Sequence, residues 1–199
     1  MTERPIFFAA PMVRAILAGT KTQTRRVCKA ATDEDGTEFR DADGWPMRDD
    51  SGCGEVRAAC PYGAPGDRLW VREAFMHVPA DYCWEASVSI PCRPALTVYR
   101  ADHDERESRG AGWTPSIHMP RSLSRITLEI TGVMVERLQA IKGEDVLAEG
   151  SAFPDAAGAS PEQLHARWQP FRDLWESING PGSWDANPWV WAISFRRLP

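Results

Sequence analysis

The sequence predicts a mixed α+β chain, with five or so short strands and a few helices arranged on a small-barrel plan. Three stretches carry that expectation. Arg125-Ile-Thr-Leu-Glu-Ile-Thr131 alternates cleanly, with Ile126, Leu128 and Ile130 inward and Thr127, Glu129 and Thr131 outward, the period of a half-buried strand. Leu164, Trp168, Phe171, Trp175 and Ile178 step by 4, 3, 4 and 3, the apolar stripe of an amphipathic helix. Pro188-Trp-Val-Trp-Ala-Ile-Ser-Phe195 closes the chain as a strand with Trp189, Trp191, Ile193 and Phe195 on one face.

Taken in order, Ile6-Phe7-Phe8 is a short strand candidate, and Pro11 takes the N1 position of a helix through Met12, Val13, Ile16 and Leu17 that stops at Gly19. Lys21 to Arg26 therefore emerges just past a helix C-terminus. From about 29 to 66 the chain is polar, acidic and rich in Gly and Asp, with no sustained period at 2 or 3.6. It reads as an inserted excursion or poorly ordered loop within one domain spanning 1–199. After the Pro65-Gly66-Asp67 turn, Arg68 to Phe75 forms a strand whose face of Leu69, Val71 and Phe75 also holds Glu73. A carboxylate on an apolar face is either paired or functional.

Residues 79–94 hold three prolines and two cysteines and read as loop, and Leu96 to Arg100 is the next strand. Gly132 permits a bulge before Val133 and Val135 resume the strand begun at Arg125. A short helix fits Gly143 to Glu149. A longer one starts at Ser160-Pro161-Glu162-Gln163, where Ser caps, Pro takes N1 and Gln closes a capping box; Pro170 is expected to kink it.

With 43% hydrophobic and 26% charged residues the chain has the balance of a globular protein, and no apolar run approaches the ~20 residues that a bilayer span needs. The N-terminus lacks the pattern of a secretory signal, so the sequence reads as cytoplasmic, with no membrane partner. Five cysteines, odd in number and widely spread, fit free thiols in a reducing compartment. A zinc set drawn from Cys53, Cys60, Cys83 and Cys92 lacks the close Cys-x-x-Cys pair that marks such sites, so neither metal nor cofactor is expected. The net charge of −5 argues against a protein that coats nucleic acid. That charge is local: residues 31–57 hold nine acidic and three basic side chains, and the rest of the chain is close to neutral.

Within Lys21-Thr22-Gln23-Thr24-Arg25-Arg26 a lysine precedes a threonine by three residues, a spacing that can bring amine and hydroxyl together in one turn. Such a dyad works as base and nucleophile only if burial lowers the lysine pKa; otherwise the segment is a solvated basic turn. Glu149, beside Gly150 at a helix end, reads as a surface residue mildly disfavoured by the helix dipole. His118 sits in a Pro-bounded loop, either lining a site or bonded to backbone. Among nine tryptophans, Trp168, Trp175 and Trp191 take core-compatible positions, whereas Trp45, Trp113 and Trp184 lie in loops from which they could stack on bases.

Five segments together resemble proteins of the ASCH superfamily, especially its phage-borne branch. They are Ile16-Leu-Ala-Gly-Thr-Lys-Thr-Gln-Thr-Arg-Arg26, Pro65-Gly-Asp-Arg-Leu-Trp-Val-Arg-Glu73, Ser116-Ile-His-Met-Pro-Arg121, Arg125-Ile-Thr-Leu-Glu-Ile-Thr-Gly-Val133 and Trp189-Val-Trp-Ala-Ile-Ser-Phe195. The likeness covers nearly all the chain outside 29–66 and 79–94. It implies a PUA-like β-barrel with flanking helices and a central cleft, used in relatives for RNA or modified nucleobases. In the bacterial N4-acetylcytidine amidohydrolases of this superfamily a Leu-x-Gly-x-Lys-Thr-x-Thr motif supplies a lysine and a threonine, which fall here on Lys21 and Thr24. Their glutamate, on the short helix, falls on Glu149.

The resemblance implies an amidohydrolase that cleaves the N4-acyl amide of acylated cytidine to cytidine and a carboxylate. Thr24 would attack the acyl carbonyl, Lys21 would accept its proton, and Glu149 would position the amine or protonate the departing nitrogen; water activated by Glu149 is an equal variant. Arg26, Trp70, Glu73 and His118 are the expected substrate contacts. Two other readings stand beside it: a non-catalytic module that captures RNA or a modified base, and a ribonuclease using Lys21, Arg25, Arg26 and His118. Near-neutral charge outside the acidic segment favours a small nucleoside over long RNA as partner.

Overall fold

The computed structural model describes residues 1–30, 38–50, 54–78, 96–103, 112–150 and 161–199. In chain order the elements are β1 (Glu3–Phe7), α1 (Ala10–Leu17), β2 (Gln23–Val27), β3 (Met47–Asp50), β4 (Gly54–Arg57), β5 (Arg68–Arg72), β6 (Phe75–Val78), β7 (Leu96–Tyr99), β8 (Thr127–Arg137), α2 (Gly143–Ala148), α3 (Pro161–Asn179) and β9 (Trp189–Arg197). Short 3-10 turns lie at Arg100–Asp102, Ser116–His118, Arg121–Leu123 and Leu138–Ala140. The chain is thus mixed α+β, with a five-stranded sheet in the order β1-β5-β8-β9-β2 and two hairpin sheets, β3-β4 and β6-β7.

β9 is the centre of the sheet's C-terminal half, antiparallel to both β8 and β2. Its alternation puts Trp191, Ile193 and Phe195 into the main core, together with Ile6, Leu69, Leu128 and Ile130. The sequence predicts one buried face for this strand, but Val190 and Ala192 on the other face are also buried. The reason is a second core: Val190 packs with Leu138, Ile141, Val146, Phe171 and Trp175, so α2 and α3 cover the side of the sheet that an isolated hairpin would leave to water. The register of β8 against β9 shifts between Ile130 and Gly132, at the glycine marked by the sequence. This bulge reverses the parity of β8, so Val133 and Val135 face the same core as Ile130 while Glu136 turns to the side of α2.

Several expectations are corrected. The strand from Arg68 ends at Arg72, and Phe75 opens β6 instead, because Glu73 turns inward to meet Arg125. Ile178 is exposed rather than core, because it lines the open cleft instead of packing with Phe171 and Trp175. Trp45 and Trp184 are packing residues, Trp45 edge-on to Trp191 at 5.1 Å and Trp184 edge-on to Phe171 at 6.0 Å, while Trp113 tilts against His103. The cap at Ser160, the 79–94 loop and Cys53, Cys83 and Cys92 lie outside the described residues.

The 29–66 excursion is also more structured than its composition predicts. Arg40 Nη2 donates to the Cys28 carbonyl at 2.6 Å, Trp45 Nε1 donates to the Ala58 carbonyl at 2.8 Å, and Cys60 is a core residue. Gly44, at φ 80°, lies so close to Trp189 that an added Cβ would run into the indole ring. Replacing 31–57 with a short Gly/Ser bridge therefore removes the cover from Trp191. The expected cost is about 3 kcal/mol, or a melting temperature lowered by roughly 6–12 °C, read by thermal denaturation. An unchanged melt would mean that Trp45 contributes nothing to the core.

β1 and β2 are the two edges of the sheet, and the described strands do not close into a ring. The gap between the edges is crossed by one side chain. Arg26 leaves β2, donates from Nη1 to Thr24 Oγ1 at 2.6 Å and from Nη2 to the Phe7 carbonyl of β1 at 2.9 Å. Its guanidinium stacks 5.2 Å from the centre of the Phe8 ring.

Candidate active site

The residues from 19 to 26 are placed by the end of α1. Gly19 takes φ 77°, and the backbone N–H groups of Thr20 and Lys21 both return to the Ala15 carbonyl, which turns the chain out of the helix and into β2. Lys21 is left facing Glu149, with which it forms an antiparallel bridge. Gly150, at φ 80°, allows this approach: a Cβ there would lie 2.9 Å from the Cβ atoms of both Ala15 and Lys21.

Lys21 is 2% exposed, and its Nζ donates to Glu149 Oε2 at 2.7 Å, to the Glu149 carbonyl at 2.8 Å and to the Gln23 carbonyl at 2.9 Å. Three oxygen acceptors call for three N–H donors, so the amine in this arrangement is an ammonium. Burial pulls its pKa below the ordinary lysine value, opposed by the adjacent Glu149 carboxylate. The other carboxylate oxygen, Oε1, accepts from Arg25 Nη1 at 3.2 Å.

Arg25 is the hub of the cluster. It is buried, donates from Nε to Glu136 Oε1 at 2.8 Å and from Nη1 to Gln23 Oε1 at 2.7 Å, and lies 3.4 Å from Asp145 Oδ2. Asp145 and Glu149 reach it together because their spacing of four puts both on one face of the α2 turn. Strand alternation aims Gln23 and Arg25 at this cluster, and Thr24 and Arg26 at the other side of β2. Thr24 is buried and its hydroxyl accepts from Arg26; no hydrogen bond joins it to Lys21.

A cleft of about 610 Å³ lies over the gap between the edge strands. Phe8, Arg26 and Glu149 form one part of its wall, and Phe171 and Trp175 of α3 another. Arg14 and Arg100 face it from α1 and the turn after β7. The size and mixed lining suit a small ligand with a flat apolar part and a few polar anchors. Among the described residues no group of three or more His, Cys, Asp or Glu could hold a metal ion, and no helix is long and apolar enough to cross a membrane.

Of the residues singled out in the sequence, Glu149 and Arg26 line this cleft, and Lys21 and Thr24 stand directly behind them as their partners. The other three do not line it. Trp70 is buried on β5 and covered by the Arg72 guanidinium at 4.7 Å. Glu73 is buried and held bidentately by Arg125 at 2.8 and 3.0 Å, the paired alternative for a carboxylate on an apolar face. His118 is exposed in a 3-10 turn, and its neighbour Ser116 reaches the cleft instead. Sequence reasoning missed Phe8, His103 and Trp175 as wall residues, and Glu136 and Asp145 as partners of Arg25. The bulge at Gly132 was the available signal for Glu136, since it fixes which side that residue takes. No family model, curated protein or solved structure matches the chain.

Proposed function

We propose that this chain is an ASCH-type amidohydrolase on a PUA-like barrel plan, cleaving the N4-acyl amide of acylated cytidine. The observation that carries the reading is the buried Lys21–Glu149 pair behind a cleft wide enough for a nucleoside, with Glu149 on its wall. The curled sheet, with its edges drawn together by Arg26, supports the barrel plan.

The three acceptors around Lys21 favour water over Thr24 among the two mechanisms that the residues permit. An amine with all three protons cannot accept another from Thr24, whose hydroxyl is bonded to Arg26 in any case. Water is then the nucleophile. Glu149 takes a proton from water as it attacks the acyl carbon, Arg26 stabilises the oxyanion, and Glu149 returns the proton to the exocyclic nitrogen as the C–N bond breaks. The products are cytidine and a carboxylate. Lys21 and Arg25 hold the two oxygens of Glu149 in place, and Phe8 and Trp175 offer faces for the base.

The test is incubation with N4-acetylcytidine and chromatographic measurement of released cytidine, for the native chain and for Thr24→Ala. Water attack predicts that Thr24→Ala keeps part of its turnover, lowered about tenfold through a loosened Arg26. Complete loss with an intact fold would restore covalent attack by Thr24. No release by the native chain at high protein concentration would leave a module that binds a base without turning it over.

A further inference from the structure

We propose that the cleft carries a phosphate subsite formed by Arg14 and Arg100, so that its occupant is a phosphorylated nucleoside rather than a free one; this rests on the nucleobase reading above. Among the described residues the cleft wall holds four arginines, Arg14, Arg25, Arg26 and Arg100, and one carboxylate, Glu149. Arg25 is matched by Glu136, Asp145 and Glu149, and Glu149 is shared with Lys21. The other three arginines have no carboxylate partner among the described residues. Arg26 donates to the Thr24 hydroxyl and to the Arg25 and Phe7 carbonyls, and Arg14 donates to the Ala101 and His103 carbonyls, both at 3.4 Å. Arg100 is exposed at the start of its turn, and among the described residues no hydrogen bond or ion pair engages its guanidinium.

This positive excess runs against the charge of the chain, which is −5. A protein with general acidity that gathers unmatched guanidinium groups into one concavity focuses its field on an anion there. Their place is also fixed. Arg125 clamps Asp102 through two bonds of 2.7 and 2.8 Å and Glu73 through two more, and this pins the turn that presents Arg100. Arg14 bonds to the carbonyls of the same turn, so the two guanidinium groups sit on one supported wall. Guanidinium forks match the oxygens of phosphate, and Arg14, already held by the turn, loses less freedom on binding it than a free side chain would. The apolar remainder of the wall, Phe8, Phe171 and Trp175, leaves room for the base and sugar.

Calorimetric titration of the full chain with cytidine, cytidine 5′-monophosphate, adenosine 5′-monophosphate and a short cytidine oligonucleotide tests the subsite. The expected result is that the monophosphate binds about ten to a hundred times more tightly than cytidine, the usual worth of hydrogen bonds to a charged group. Raising the salt should erode that gain. Arg100→Ala, which removes no side-chain hydrogen bond or ion pair among the described residues, and Arg100→Glu should reduce it, the second more than the first, with Arg14→Ala acting in the same direction. Equal affinity for cytidine and its monophosphate, a gain untouched by Arg100→Glu, or no binding of the monophosphate at millimolar concentration would each overturn the proposal. If both monophosphates bind alike and Arg100→Glu weakens both, the phosphate subsite stands and the preference for cytosine falls. Tighter binding of the oligonucleotide, lost in the same variants, would assign the phosphate to a strand rather than to a free nucleotide.

Discussion

Glu149→Gln is expected to lower the turnover of N4-acetylcytidine by about 10² to 10⁴, the range for removing a positioned acid or base. The amide keeps the shape of the side chain, but its single oxygen can accept from Lys21 or from Arg25 and not from both, and it cannot take a proton from water. The same change leaves Lys21, 2% exposed, and Arg25, 3% exposed, without the carboxylate between them. Removing one partner of a buried pair costs about 3–5 kcal/mol, so the variant should also melt at a lower temperature. A change at this polar residue is therefore not neutral for stability. Turnover must therefore be measured on the folded fraction, well below the melting midpoint. Lys21→Met with Glu149→Gln should recover part of the stability and none of the activity, which separates the two effects. If Glu149→Gln retained full turnover, the carboxylate would have only a structural role.

Trp191→Ala is expected to cost about 3–5 kcal/mol, enough to unfold many domains of this size. Trp191 is 2% exposed, pairs across β9 with Val135 and Arg26, and takes the edge of Trp45 on its ring. Truncation thus opens a cavity where β8, β9, β2 and the 38–60 segment meet. A denaturant titration should show the midpoint shift, and a loss below about 1 kcal/mol would place the ring outside the main core. Trp189 provides a control on the same strand. It is only partly buried and lies between the Arg40 and Arg137 guanidinium groups at 5.3 and 4.5 Å, so its loss should cost less.

Local chemistry was easiest to read where one residue type has one explanation. The alternation from Ile126 to Ile130, the bulge at Gly132 and the helix ending at Gly19 all follow from period and backbone freedom, and all three are present. The segment from Lys21 to Arg26 was legible only as a candidate, with a solvated basic turn as the alternative, and the structure buries Lys21, Thr24 and Arg25. What the sequence did not disclose is which side of β2 each residue takes. Lys21 and Arg25 meet Glu149 on one side, whereas Thr24 and Arg26 face the other, and only the pairing with β9 decides it. Composition misled at Trp45, whose acidic surroundings hide a contact with Trp191 more than a hundred residues away. Glu73 and Trp70 were expected at the site, yet Glu73 is taken by Arg125 and Trp70 is covered by Arg72 of its own strand.

Arg26 gives the molecule a reciprocity that neither sheet nor cleft has alone. The guanidinium that faces an occupant also fastens β1 to β2, through Phe7 on one edge and Thr24 on the other. An occupant that draws this group outward loosens the fastening, and an occupant that seats it more firmly tightens the edges. Linkage makes the effect equal in both directions: whatever frays the edge strands changes affinity by the factor with which binding changes fraying. Amide hydrogen exchange at the ends of β1 and β2 would then report on occupancy.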